Sequence, residues 1–150
     1  MNNEIIAYAA GVFDADGTIQ INKRRDCDSY QVSVSVSSVV DAIPCWLLRN
    51  FGGKIYHFYS SKERRQPIQR WTLYSLKVLD FLKVIEPYLT EKRERAKLAI
   101  HFQSNLFSKN NQKVHDAIRL ERKNVFNQMK TLNAKFGRNH WIGAKLEEVN

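Results

Sequence analysis

Apolar residues recur at Ile6, Ala9, Ala10 and Phe13, the spacing of a helix that buries one face, with Asn2 or Asn3 able to cap its start and Gly17 to stop it. The period then changes from 3.6 to 2. Thr18–Arg24 reads T-I-Q-I-N-K-R and Tyr30–Ser37 reads Y-Q-V-S-V-S-V-S, which predicts two strands joined by a polar hairpin loop at 25–29. Val32, Val34 and Val36 face one way, and Gln31, Ser33, Ser35 and Ser37 the other. Asp41 begins a short helix through Trp46 to about Asn50, ended by Gly52-Gly53. Strands are expected at Lys54–Tyr59 and Arg70–Tyr74, the latter with Trp71 and Leu73 on one face and Arg70 and Thr72 on the other. Ser75 should cap a helix with the stripe Val78, Leu79, Leu82 and Ile85, broken at Pro87. Thr90 should cap another, from about Glu91 to Leu106, and a further amphipathic helix is expected from about Gln112 to Leu132.

The order is helix, hairpin, helix, hairpin, helix and then extra helices, an α+β pattern with a four-stranded antiparallel sheet packed on helices. Composition sharpens this. In 150 residues, 24 Lys and Arg stand against 15 acidic residues, for a net charge of +9, which favours a polyanionic partner. No apolar run approaches the roughly 20 residues that cross a bilayer, and Met1–Glu4 lacks the positive start of a secretory signal. An intracellular protein without a membrane partner is therefore expected. Cys27 and Cys45 lie far apart, and the four His show no ligand spacing with them, so neither a disulfide framework nor a zinc site is expected.

The sharpest local feature is Ala9-Ala10-Gly11-Val12-Phe13-Asp14-Ala15-Asp16-Gly17, which puts two carboxylates at a helix C-terminus. That end carries partial negative charge, so the pair is costly unless a cation offsets it, and Mg²⁺ takes such oxygen ligands together with a substrate phosphate. On spacing alone, Asp14 and Asp16 read equally well as turn formers before Gly17.

This stretch resembles the motif of the LAGLIDADG homing endonucleases. Phe51-Gly52-Gly53-Lys54-Ile55 is similar to the family's turn into its second hairpin, and Pro87-Tyr88-Leu89-Thr90-Glu91-Lys92 to the junction before its last core helix. The resemblance covers about residues 5–105, with residues 107–150 as a C-terminal helical extension. It implies an αββαββα core in one domain, whose twisted sheet forms a DNA-binding saddle. It also implies a homodimer that cuts both strands of a long pseudo-palindromic site by metal-dependent hydrolysis, leaving 3′ overhangs.

The resemblance assigns roles by position. Asp16, with Ala15 beside it, falls on the metal site, where Mg²⁺ is implied and Mn²⁺ or Ca²⁺ can substitute. Asp14 falls on the position that ends the helix and supports its packing. Lys92 matches a basic residue close to the scissile phosphates, although in the run Lys92-Arg93-Glu94-Arg95 it also reads as a solvated charge. Ser38 stands where a polar residue, commonly Gln, orders active-site water. Ala10 and Gly11, with Asp14, fall on the dimer interface, where small residues let two helices approach. No small-molecule cofactor is implied.

Gln20, Asn22, Arg24, Gln31, Ser33, Ser35, Ser37, Arg70 and Thr72 lie on the polar strand faces, and Gln or Asn pairs with adenine as Arg does with guanine. A plain solvent-facing sheet would alternate in the same way. Lys23, Arg25, Lys62, Arg64 and Arg65 suit phosphate contact, and residues 107–150 suit core packing, phosphate contact through Lys135, Arg138 and Lys145, or both. Two other readings stand beside cleavage: a non-cleaving relative such as an intron RNA maturase or transcription regulator, and a basic structural RNA-binding protein. The second has no RNP-type aromatic run to support it.

Overall fold

The structure, a computed structural model, describes residues 2–23, 29–59, 67–107 and 116–138. Helix α1 (Asn3–Asp16) leads into β1 (Gly17–Lys23) and β2 (Tyr30–Ser38); α2 (Ala42–Phe51) leads into β3 (Lys54–Phe58) and β4 (Ile68–Tyr74). Helix α3 (Leu76–Ile85), a 3-10 turn (Glu86–Tyr88), α4 (Arg93–Phe107) and α5 (Asp116–Arg138) follow. The strands form one antiparallel sheet in the order β1-β2-β4-β3, so the two hairpins meet along β2 and β4. The α+β class and the αββαββα order are those read from the sequence.

Alternation divides the sheet. Ile19, Ile21, Val32, Val34, Val36, Trp71 and Leu73 are buried beneath it, against the apolar stripes of the helices. Four aromatic rings form the centre of that core. Phe13 of α1 meets Phe81 of α3 at 5.0 Å between centroids and Trp71 of β4 at 6.1 Å, and Phe51 meets Phe81 edge-on at 4.9 Å. The Trp71 indole N–H donates to the Gly52 carbonyl at 2.7 Å, so the buried ring leaves no polar group unpaired. Phe81 was absent from the stripe read for α3, whereas Leu79 of that stripe is only half-buried.

Several boundaries and caps differ from the sequence reading. β4 starts at Ile68 because Phe58 and His57 of β3 extend the ladder to Ile68 and Gln69. Neither Asp41 nor Ser75 makes a side-chain cap hydrogen bond. Ser75 instead turns the chain at φ 58, and its hydroxyl accepts from the Gln31 amide at 3.3 Å. Helix α4 starts at Arg93 and is not capped by Thr90; its entry is held from a distance, as described below.

Helix α5 has a defined place. β1 is an edge strand with unpaired backbone groups, and Asn133 of α5 donates to the Ile19 carbonyl at 3.1 Å. Met129 is buried in the same core. The helix thus covers an edge that could otherwise pair with another chain.

Gly17 ends α1, but its φ of −71° suits any residue. The demand for glycine is steric: a Cβ there would stand 2.4 Å from Phe13 Cδ1 and 2.6 Å from Phe13 Cα. Gly17→Ala is therefore expected to lower stability by about 3 kcal/mol, read by denaturant unfolding, because the backbone of α1 must move to admit the methyl group. An unchanged midpoint would show that this turn is not close-packed.

Candidate active site and nucleic-acid interface

The last turn of α1 meets the entry of α4 in a reciprocal exchange. The Asp14 carboxylate accepts from the backbone N–H groups of Thr90 at 2.7 Å and Lys92 at 3.0 Å, which lead the chain into α4. The Lys92 ammonium returns to α1 and donates to the carbonyls of Phe13 at 2.6 Å, Asp14 at 2.9 Å and Ala15 at 3.2 Å. The Phe13 carbonyl also accepts from the Gly17 N–H, whereas those of Asp14 and Ala15 are among the carbonyls that a helix C-terminus leaves unpaired, and a cation there offsets the partial negative charge.

An ammonium has three protons, and all three are engaged. Lys92 is only 9% exposed. Burial, followed by repulsion from Arg95, pulls it below its ordinary value of 10.5, against the attraction of Asp14, Glu91 and Asp16. This corrects one of the two sequence readings of Lys92. It is not a solvated charge: in the chain alone its ammonium is held by carbonyls at the end of α1.

Asp16 is different. It is the last residue of α1, exposed, and its carboxylate makes no hydrogen bond among the described residues. Ala15 offers only its carbonyl as a ligand, already shared with Lys92. No group of three His, Cys, Asp or Glu close enough to hold a metal occurs among the described residues. The end of α1 thus presents one exposed carboxylate, that of Asp16: an incomplete cage, but the kind of oxygen donor on which Mg²⁺ relies when phosphate and water fill the remaining positions.

Ser38 ends β2, two residues beyond the Val36–Gly17 pair and so near the end of α1. Its hydroxyl accepts from the Val40 N–H at 3.1 Å, which leaves its proton available to donate.

The outer face of the sheet carries Gln20 and Asn22 from β1, Gln31, Ser33, Ser35 and Ser37 from β2, and Arg70 and Thr72 from β4, as alternation predicts. None of the four strands contains an acidic residue. Two of the expected readers are corrected. Ser33 is 8% exposed and its hydroxyl accepts from the Asn22 amide at 2.8 Å, and Thr72 is 4% exposed. Both are short side chains on inner strands: Ser33 lies between Gln20 and Tyr74, and Thr72 between Ser35 and Lys54, so longer neighbours cover them. Arg24, Arg25, Lys62, Arg64, Arg65 and Lys145 lie outside the described residues, as do the side chains of Lys135 and Arg138.

Sequence reasoning missed five further residues of this face. Lys54, Tyr56 and Phe58 of β3 and Ile68 and Tyr74 of β4 share it and are exposed. Burial and a hydrogen bond with Tyr56 push the Tyr74 hydroxyl above its ordinary 10.0. The signal was the K-I-Y-H-F alternation of β3, masked because its inner residues are only partly apolar. Ala10 is also placed differently from the reading: it is fully buried in the protomer's own core, whereas Gly11 is exposed and a Cβ on it would meet nothing within 4 Å.

Asp14→Ala is expected to lower unfolding stability by about 2 kcal/mol, and Lys92→Met, which takes the ammonium from the Asp14 and Ala15 carbonyls, by about 2–4 kcal/mol. The double variant should lose less than the sum, since both residues serve one junction. Additive losses would mean that the two contacts act independently.

No family model and no curated protein sequence matches the chain. Solved structures do. The homing endonuclease I-CvuI, in complex with its target in the presence of Ca, shares 23% identity over 87% of this chain and 85% of its own, with a TM-score of 0.69. The archaeal intron-encoded homing endonuclease I-Vdi141I, complexed with DNA, shares 13% over 87% and 84%, with a TM-score of 0.68. For the LAGLIDADG homing endonuclease I-GzeII in complex with a DNA target, the figures are 15% identity, 89% of this chain, 49% of that chain and a TM-score of 0.64. The exchange between α1 and α4, the four-stranded sheet and its acid-free outer face are thus built on the fold of the LAGLIDADG homing endonucleases.

Proposed function

We propose that the chain is a site-specific double-strand DNA endonuclease that works as a homodimer and hydrolyses phosphodiester bonds with divalent metal at a long pseudo-palindromic target, leaving 3′ overhangs. The observation that carries this reading is Asp16: an exposed carboxylate without a hydrogen bond among the described residues, held where α1 meets the polar sheet by a neighbour, Asp14, that is fully committed. A surface of net charge +9 supports a polyanionic partner, as does the similarity in fold to endonucleases solved on DNA.

A single carboxylate calls for a second copy. Ala7, Gly11 and Ala15 are exposed at four-residue intervals along α1, a stripe of small residues against which another helix can pack at close range. Two such stripes in contact bring two Asp16 carboxylates together at the ends of paired helices. The chain matches about half of I-GzeII but most of I-CvuI, which agrees with one half-site per protomer.

In this reading Asp14 and Lys92 fix the end of α1 and thereby position Asp16. The two Asp16 carboxylates, with the Ala15 carbonyls beside them, would hold Mg²⁺, and Mn²⁺ or Ca²⁺ in the same place. When bound, such an ion lowers the pKa of water and offsets charge on the attacked phosphate and the leaving 3′ oxygen. Ser38, with its proton free, orders water next to the cut. Exposed Gln20, Asn22, Ser37 and Arg70, with half-buried Gln31 and Ser35, meet base edges in the major groove.

Selection of cut sites from a randomised duplex library with Mg²⁺ tests this reading. The wild type should cut both strands of one family of sequences, and EDTA should stop it. Asp16→Asn should cut at least about 100-fold more slowly and still bind. Gly11→Leu should convert dimer to monomer in sedimentation and stop cutting, with little change in monomer stability. Full activity in Asp16→Asn overturns the metal role, and binding without cutting by the wild type assigns the chain to the non-cleaving alternative.

A further inference from the structure

On the outer face of the sheet, Arg70 is set in a fixed pose. Its Nε–H donates to the Ser37 hydroxyl at 3.0 Å across the β2–β4 pair. On the other side, its guanidinium carbon lies 4.7 Å from the centre of the Phe58 ring, a diagonal neighbour on β3. A guanidinium stacked on a ring and bonded through Nε has its plane and its roll defined. The remaining edge, Nη1 and Nη2, makes no hydrogen bond among the described residues. No acidic residue on any of the four strands is available to neutralise it. Arg70 also sits on an inner strand rather than at the rim, where backbone phosphates would pass.

A planar pair of N–H donors presented edge-on matches the two acceptors of guanine in the major groove, O6 and N7. Resting on the reading of the sheet as a DNA-binding face, we infer that Arg70 is the guanine reader of each half-site, and that Ser37 and Phe58 are positioning residues that hold its donor fork. The register also places the base. Gly17 pairs with Val36, and Ser37 pairs with Arg70, so Arg70 lies toward the end of the sheet where α1 delivers Asp16. Asn22 and Gln31 lie at the opposite end. The guanine therefore belongs to the inner part of the half-site, closer to the cut than the bases met by Asn22 and Gln31.

The test is a binding selection from a randomised duplex library in Ca²⁺, with bound sequences counted and no cleavage required. The wild type should yield one inner guanine column in each half-site. Arg70→Gln should reduce guanine preference in that column about 10- to 100-fold, moving it toward adenine, and leave the other columns unchanged. Arg70→Lys keeps the charge but lacks the fork, and should also relax the column. Ser37→Ala and Phe58→Leu should relax it partially, and Ser37→Thr and Phe58→Tyr should restore it.

An unchanged guanine column in Arg70→Gln overturns the inference. So does a uniform fall in all columns, which is the signature of a phosphate contact. Absence of any sequence preference in the wild type overturns it as well. A wild type that selects this column and does not cut leaves the assignment of Arg70 standing while removing the nuclease reading.

Discussion

Two chain ends with opposite needs solve each other's problem at the junction of α1 and α4. The first has surplus carbonyls and negative charge; the second has unpaired amides. Asp14 gives its carboxylate to the amides of Thr90 and Lys92, and Lys92 gives its ammonium to three carbonyls of α1. The contact spans more than seventy residues of sequence and is partly shielded from water, where such charge-assisted bonds are strongest. It sets the position and direction of the final turn of α1, and so of the one carboxylate left over, that of Asp16. Asp14 and Lys92 are consumed in building the corner, and the Asp16 carboxylate stays exposed.

The corner is held from below by packing. Phe13 anchors α1 against Trp71 and Phe81, and Gly17 lets β1 begin in contact with that ring. Helix and strand can therefore join without a spacer, which keeps Asp16 next to the first residues of the polar face. On the far side α5 lies against the free edge of β1, where Asn133 donates to the Ile19 carbonyl. The basic surplus of the chain and the lack of acidic residues on the strands then act in the same direction.

That outer face has two chemical halves. On β1 and β2 it is amides and hydroxyls linked sideways, as in Asn22 to Ser33 and Gln31 to Ser75. On β3 and β4 it is aromatic, with Tyr56, Phe58 and Tyr74 around Arg70. Reach decides what each residue can touch. Short side chains on inner strands become the floor of the groove, and longer ones stand above them. Sideways bonds and ring stacking reduce the freedom of the exposed side chains before anything binds, which lowers the ordering cost of recognition.

Periodicity in the sequence was enough to find the strands and the helices, to say which strand residues share a face, and to single out the Asp14–Asp16 turn. These are local matters: a period of two or of 3.6 follows from backbone geometry, and a strand's polar face is written in every second residue. What the chain does with that pattern depends on neighbours distant in sequence. Ser33 and Ser37 are identical in type and parity, yet one is covered and the other bonds Arg70, because Ser33 is flanked by Gln20 and Tyr74 whereas Ser37 lies beyond the last β1 pair and has a cross-strand neighbour on one side only. Ala10 and Gly11 are adjacent small residues, yet one fills the core and the other faces outward. Lys92 reads as a surface charge until α1 is brought against it. Burial and partnership arise from three-dimensional contact between segments, and a one-dimensional pattern does not encode which segments will meet.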